Sequence, residues 1–315
     1  MLEDFYQDSE QAKNLLKATQ DFFITELSLT PVMAIELEFF FMAEEGSVVS
    51  DEQLDELADS VKTIAINHGL KLGNVSKEVG RLQYEVNFKH SKDLLKVAGD
   101  AEKIKDILGT VAKSYNLSVC FVPKPYTNLD VGSGMHVHLS LYDQADNNLF
   151  VKHNDEESPL LLNIIGGLLK YLPASLPFFL AAEQDFERFN AKFELSNEER
   201  RYKCNATNAP TNISWGVNNR TTALRIPDSH REKGARRVEH RVPASSANPY
   251  LVLTGVLLGA YLGVRERLDA PDRIWGNAFD EQYKLESLPL NLKEANSNFE
   301  NSEIRKIFDQ LKNKA

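Results

Sequence analysis

Two histidines, His136 and His138, stand two residues apart in "GSGMHVHLSLYD", directly after a Gly-Ser-Gly turn. Met135, Val137 and Leu139 alternate with His136, His138 and Ser140, so the stretch reads as a strand with one polar face. Carboxylates recur in the same pattern. Glu36 and Glu38 share a face in "AIELEFFF", Glu85 shares one with Asn87 in "LQYEVNFKH", and Glu239 shares one with Arg241 in "RRVEHRVP". Glu78 stands just before the Glu85 strand, and Arg225 lies on the short strand "TTALRIP". Taken singly, each is an ordinary solvated strand face. Five carboxylates and a histidine on one closed face would repel one another strongly without cations. Divalent cations turn the same set into a binding site. Oxygen-rich ligands suit magnesium or manganese, and an imidazole tilts towards tolerance of manganese. Arginines beside such a cluster suit phosphate chemistry, because both neutralise transferring phosphoryl oxygens. Repulsion alone predicts that Glu38→Gln or Glu239→Gln leaves metal-free stability unchanged or raised.

The elements that must position these residues are read from periodicity. Residues 8–27 carry apolar side chains at helical spacing, and 32–43 is strand-like. Residues 50–69 start at an N-cap, Ser50, and stop at Gly69. A second amphipathic helix covers 100–117, and a strongly apolar one covers 158–182 with an interruption at Pro173. Segment 193–207 is polar and loop-like. Asn248 caps a further apolar helix, with Pro249 in its first position. Strands and helices mix without regular βαβ alternation, which predicts an α+β fold. The expected layout is an N-terminal helical segment over 1–30 and a single domain over 31–315.

The 315-residue chain carries 36 basic and 46 acidic residues, a net charge of −10, with no basic block. That disfavours nucleic acid and anionic membrane as partners. Cys120 and Cys204 offer neither a disulfide framework nor a metal-ligand spacing, which fits a reduced compartment. "MLEDFYQDSEQAKNLL" lacks the character of a signal peptide, and "YLVLTGVLLGAYLGV" is short and glycine-rich for a membrane span. A cytoplasmic location is the expectation.

The motifs as a set resemble the glutamine synthetase family. "GSGMHVHLSL" is similar to its central signature, "AIELEFFF" to its Glu-x-Glu strand, and "KEVGRLQYEVNF" to its stretch with two metal-binding glutamates. "NAPTNISWGVNNRTTALRIP" and "RRVEHRVPASSANPYLVLTGVLLGA" resemble its arginine-bearing strands and following helix, all in family order between about residues 30 and 270. The resemblance implies a curved antiparallel sheet, a half-barrel, flanked by helices. It implies one metal site on Glu38, Glu78 and Glu85 and another on Glu36, His136 and Glu239. It places His138, Ser140, Arg225 and Arg237 on the nucleotide, and Gly132, His136 and Arg241 on the glutamate substrate. Arg220 and Arg225 become phosphate-contacting catalytic residues. Arg188, in "QDFERF", takes a catalytic and substrate-binding role for which Arg200 and Arg201 are rivals. The implied reaction joins L-glutamate to ammonia or a primary amine through γ-glutamyl phosphate, with ATP as co-substrate and Mg2+ or Mn2+ as cofactor. Small molecules are the implied partners, and homo-oligomerisation is left open. A catalytically silent binding or regulatory protein of the same fold is the alternative.

Three departures from the family pattern stand out. About 35 residues precede the Glu-x-Glu strand, where family members carry a small β-rich domain, so that domain is expected to be missing. The flap glutamate position reads Asn208, with Glu194, Glu198 and Glu199 in the longer stretch before it. Leu82-Gln83 replaces the Gly-Gln before the second metal glutamate. These changes favour an organic amine as acceptor.

Overall fold

The computed structural model describes residues 2–43, 49–80, 82–125, 132–189, 209–229 and 233–314. Eight strands form one sheet: β1 (Thr30–Ala43), β2 (Leu72–Lys77), β3 (Gln83–Phe88), β4 (Leu117–Cys120), β5 (Met135–Tyr142), β6 (Trp215–Val217), β7 (Leu224–Ile226) and β8 (Val238–His240). Their order is β2-β3-β1-β5-β8-β7-β6, with β4 also paired to β1. The pairings are antiparallel except β6 with β7, which is parallel. The fold is thus α+β, with a mostly antiparallel open sheet.

Helices α1 (Leu2–Gln7), α2 (Ser9–Leu27), α3 (Asp51–Asn67), α4 (Leu94–Ser114), α5 (Pro159–Lys170), α6 (Leu172–Phe179), α7 (Pro249–Glu266), α8 (Leu292–Glu300) and α9 (Glu303–Lys312) accompany it. The core lies between the helices and the apolar sheet face. On β1, Ile35, Leu37, Phe39 and Phe41 point into that core and leave Glu36 and Glu38 on the other face. Phe41 packs edge-on against Phe39 and Tyr84, with ring centroids 5.1 and 5.3 Å away. Helix α7 is buried on every side over most of its length. It is capped as expected, the Asn248 side chain accepting from the Tyr250 and Leu251 amides. Helices α5 and α7 cross so closely that a side chain at Gly167 would overlap the backbone of Gly259 and Gly263.

Several boundaries differ from the periodicity reading. Helix α4 begins at Leu94, capped by Asp93, because Leu94, Val97 and Ala98 extend the buried face past Gly99. The apolar stretch 158–182 breaks at Tyr171 into α5 and α6, bent by 74°. Pro173 sits in the first turn of the new helix, where its missing N–H needs no partner. No single helix among the described residues is long and apolar enough to cross a membrane, and the bent pair that qualifies together is largely core.

Candidate active site

Sheet register gathers the chemistry. Glu36 on β1 lies opposite His136 on β5 and Asn87 on β3. Glu38 lies opposite Glu85, and Glu239 on β8 lies between His138 and Arg225. Since facing residues in adjacent strands point the same way, five strands contribute to one polar face.

Ligand atoms of Glu36, Glu85 and His136 lie within 4.8 Å of one another. This triad crosses the two metal sets that the sequence resemblance implies. His136 Nδ1 is 3.6 Å from both Glu36 and Glu239, its Nε2 is 3.9 Å from Glu38, and Nε2 has no hydrogen-bond partner among the described residues. Burial, together with Glu36, Glu38 and Glu78, pushes the Glu85 carboxyl up to about 9, despite a 2.7 Å hydrogen bond from Asn87. Burial and Glu38 likewise raise Glu78, opposed by Arg220 and His136. Arg220 is exposed, and its charge reaches the cluster through Glu78. Burial works against ionising Glu36, but His138 and His136 outweigh it and hold the carboxyl well below the usual range.

Glu239 differs from the others. It is fully buried and accepts from Arg241 Nη1 and, at 2.7 Å, from Arg225 Nη1. Burial opposes its ionisation, yet Arg241, His136, His138 and Arg225 hold it at about 2. Arg225 also donates to Asn218 Oδ1 at 2.9 Å. Arg237 Nε donates to His138 Nδ1 at 3.0 Å, and His138 Nε2 lies 2.8 Å from Glu36. Ser140 donates to the Arg236 carbonyl at 3.0 Å and so anchors the segment leading to Arg237. A cleft of about 570 Å³ opens beside Asn218 and Arg236.

Arg188 Nη1 donates to the Val242 and Pro243 carbonyls at 2.5 and 2.7 Å. The buried Nε groups of Arg188 and Arg225 have no hydrogen-bond partner among the described residues. A side chain at Gly132 would press on the Pro123 carbonyl, and one at Gly134 on Arg188 and His136. The structure therefore clusters Glu36, Glu38, Glu85, His136, His138 and Glu239 with Arg225, Arg237 and Arg241, and sets Gly132 beside Arg188. Arg200, Arg201, Asn208, Glu194, Glu198 and Glu199 lie outside the described residues. Sequence reasoning noted Gln83 only in the altered Leu82-Gln83 pair and gave it no role, although it extends the Glu85–Asn87 face by one period, and it missed Asn218, which carries no local signal.

Residues 10–311 match the family described as glutamine synthetase, catalytic domain. The chain belongs to the glutamine synthetase family. It is 28% identical over 315 residues to the gamma-glutamylputrescine synthetase PuuA of Escherichia coli K12, covering 91% of this chain and 62% of that one. It is 28% identical over 312 residues to the glutamine synthetase of Thermotoga maritima, covering 91% and 66%. The solved GmaS/ADP complex superposes with a TM-score of 0.81 at 26% identity, over 96% of this chain and 71% of that one. The chain thus spans somewhat under two thirds of the length of these two curated relatives.

Members of the glutamine synthetase family are ligases that use ATP and divalent metals, and this face fits a divalent cation. A buried His136 Nε2 with no hydrogen-bond partner among the described residues, and crowding that favours a proton on the Glu85 carboxyl, suit a site for a divalent cation. Cation binding must displace that proton, so Mg2+ affinity is expected to rise between about pH 6 and pH 9. Titration calorimetry near pH 7.5, in buffers of different ionisation enthalpy, should show release of about one proton per cation. A flat affinity over this range with no proton release would contradict the crowding described for Glu85.

Proposed function

We propose that this chain is an ATP-dependent carboxylate–amine ligase that joins the γ-carboxylate of L-glutamate to ammonia or a primary amine. The observation that carries the reading is a triad with the spacing to hold a cation, beside Arg188 and Arg225, whose buried Nε groups have no hydrogen-bond partner among the described residues, an arrangement suited to anionic substrates. Glu36, Glu85 and His136, with Glu38 and Glu78 around them, would hold magnesium or manganese. When bound, the metal supplies charge neutralisation for the transferring phosphoryl group. Arg220 and Arg225 share that load on the phosphate oxygens. Arg237 and His138 take the nucleotide side, with Ser140 holding their segment in place, and the neighbouring cleft has the volume of a small-ligand site. Arg241 and Arg188, with Gly132, hold the glutamate.

In the first step a glutamate γ-carboxylate oxygen bonds to the γ-phosphorus of ATP, and ADP leaves. In the second the amine nitrogen bonds to the acyl carbon, phosphate leaves, and the nitrogen loses a proton to a base. Kinship with a γ-glutamylputrescine synthetase supports an organic amine, as does Asn208 at the flap position, because an amide cannot accept the ammonium proton.

The test is ADP release with glutamate, Mg2+ and a panel of amines. Turnover should need all three, and some primary amine should give a higher kcat/KM than ammonium. Ammonium as the best acceptor would leave the ligase standing and remove the amine preference. Turnover indifferent to amine would mark a kinase of a small acid. No turnover with any amine would favour the silent scaffold.

A further inference from the structure

We infer that the Gly-Ser-Gly turn at 132–134 couples cation binding to glutamate binding, with Gln83 as the positioning residue that transmits it; this rests on the proposed ligase reading. Gln83 is 2% exposed and uses both ends of its amide. Its Oε1 accepts from the Gly80 amide at 3.0 Å, and its Nε2 donates to the Gly132 carbonyl at 3.0 Å. Its backbone completes the same turn, because Gln83 N–H donates to Gly80 at 3.0 Å and Gln83 C=O accepts from Glu78 at 2.9 Å. The connection between Glu78 and Glu85 is therefore folded around Gln83. Leu82, just before it, has φ of 62°, a strained conformation for leucine that the surrounding bonds must hold.

The other end of the strap is tied as firmly. Gly134 N–H donates to Glu38 Oε2 at 2.7 Å, and Gly134 C=O accepts from the Glu38 amide at 2.9 Å. Ser133 N–H donates to the Pro123 carbonyl at 2.7 Å. An added side chain at Gly134 would meet Arg188 Nη2 at 2.8 Å. One three-residue turn thus touches Gln83 and Glu38, on two carboxylate-bearing strands, and also lies against Arg188. A cation that draws Glu38, Glu78 and Glu85 together moves both anchors of the turn. Glutamate seated against Gly132 and Arg188 acts on the same turn. Linkage then requires each ligand to tighten the other by the same factor.

The experiment measures L-glutamate binding with and without Mg2+, in the absence of nucleotide, by calorimetry. The ratio of the two dissociation constants is the coupling factor, expected to be about fivefold or more in the wild type. Gln83→Met keeps the volume and removes both side-chain bonds. Gln83→Glu, measured at a pH where its carboxyl is ionised, keeps the acceptor for Gly80, replaces the donor to Gly132 with a second acceptor and adds a charge near Glu85. Direct attraction between cation and glutamate persists in Gln83→Met, which adds no charge, and cancels in that comparison. Both variants should bring the factor at least about threefold below wild type, with Mg2+ still bound by Gln83→Glu. A wild-type factor in Gln83→Met, or in Gln83→Glu at a pH where its carboxyl is ionised, overturns the strap. A wild-type protein that binds neither Mg2+ nor glutamate overturns the ligase reading, and this inference with it.

Discussion

Glu85→Gln is expected to abolish magnesium-dependent ATP turnover while raising the unfolding temperature of the metal-free protein at neutral pH. The two effects have one cause. Burial and three neighbouring carboxylates lift the Glu85 carboxyl to about 9, so in the metal-free fold it resists ionising. A carboxyl raised in this way contributes stability that is fully present below its unfolded value near 4.5 and is lost as pH rises to about 9. At pH 7 the accumulated loss is on the order of 3 kcal/mol, an upper figure for a crowded cluster. Glutamine mimics the protonated acid and escapes it. The same substitution removes a ligand from the Glu36–Glu85–His136 triad. Mg2+ affinity should fall at least about 100-fold, the upper range seen when groups merely supporting a ligand are lost. Thermal unfolding with and without Mg2+ measures both halves. Wild type should gain about 2.7 kcal/mol at a Mg2+ concentration of about 100 times its Kd, and the variant little at the same concentration. Equal stabilisation of the two by Mg2+ would remove Glu85 from the cation site.

Arg241→Leu should have the opposite effect on stability, and it divides the carboxylates into two kinds. Arg241 is almost completely buried and donates to Glu239, itself fully buried. Removing one partner of such a pair leaves an uncompensated charge, which costs about 3–5 kcal/mol. Arg225 still reaches Glu239 at 2.7 Å, so the lower end is expected. Repulsion among like charges predicts that Glu239→Gln is harmless without metal, and the structure overturns this for Glu239. Its neighbours include two guanidinium groups, and losing its charge strands them. The pH dependence has the matching sign. Held at about 2, Glu239 contributes stability present above about 4.5 and lost as pH falls towards 2. Arg241→Lys keeps the charge and loses the planar fork, so it should raise the glutamate KM much more than the ATP KM. Denaturant unfolding and steady-state kinetics provide the readouts. A loss under about 1 kcal/mol for Arg241→Leu would show that the Glu239 pair lacks the assigned role. A change confined to ATP would move Arg241→Lys to the phosphate side.

Local pattern carried much of this site. Alternation along a strand is set by the residues themselves, so the polar faces of Glu36 and Glu38, His136 and His138, Glu85 and Asn87, and Glu239 and Arg241 were legible one strand at a time. The ordered set of motifs pointed to the family, and the match over residues 10–311 bears that out. Caps were legible for the same reason, since Ser50 and Asn248 act on amides two or three residues away. The strands β2, β4 and β6 were not, because LGNVSK, LSVC and WGV show no alternation of charged with apolar residues. Register was decided only by the fold. That Glu38 faces Glu85 and Glu36 faces His136 follows from how β1 slides against β3 and β5, which no single strand encodes. The same holds for which charges find each other. Glu85 and Glu239 are both strand glutamates two residues from a polar neighbour, yet one is pushed up among carboxylates and the other held down between arginines. Electrostatic fate depends on distances of a few ångström between chain segments up to about 100 residues apart, and tertiary structure sets those distances.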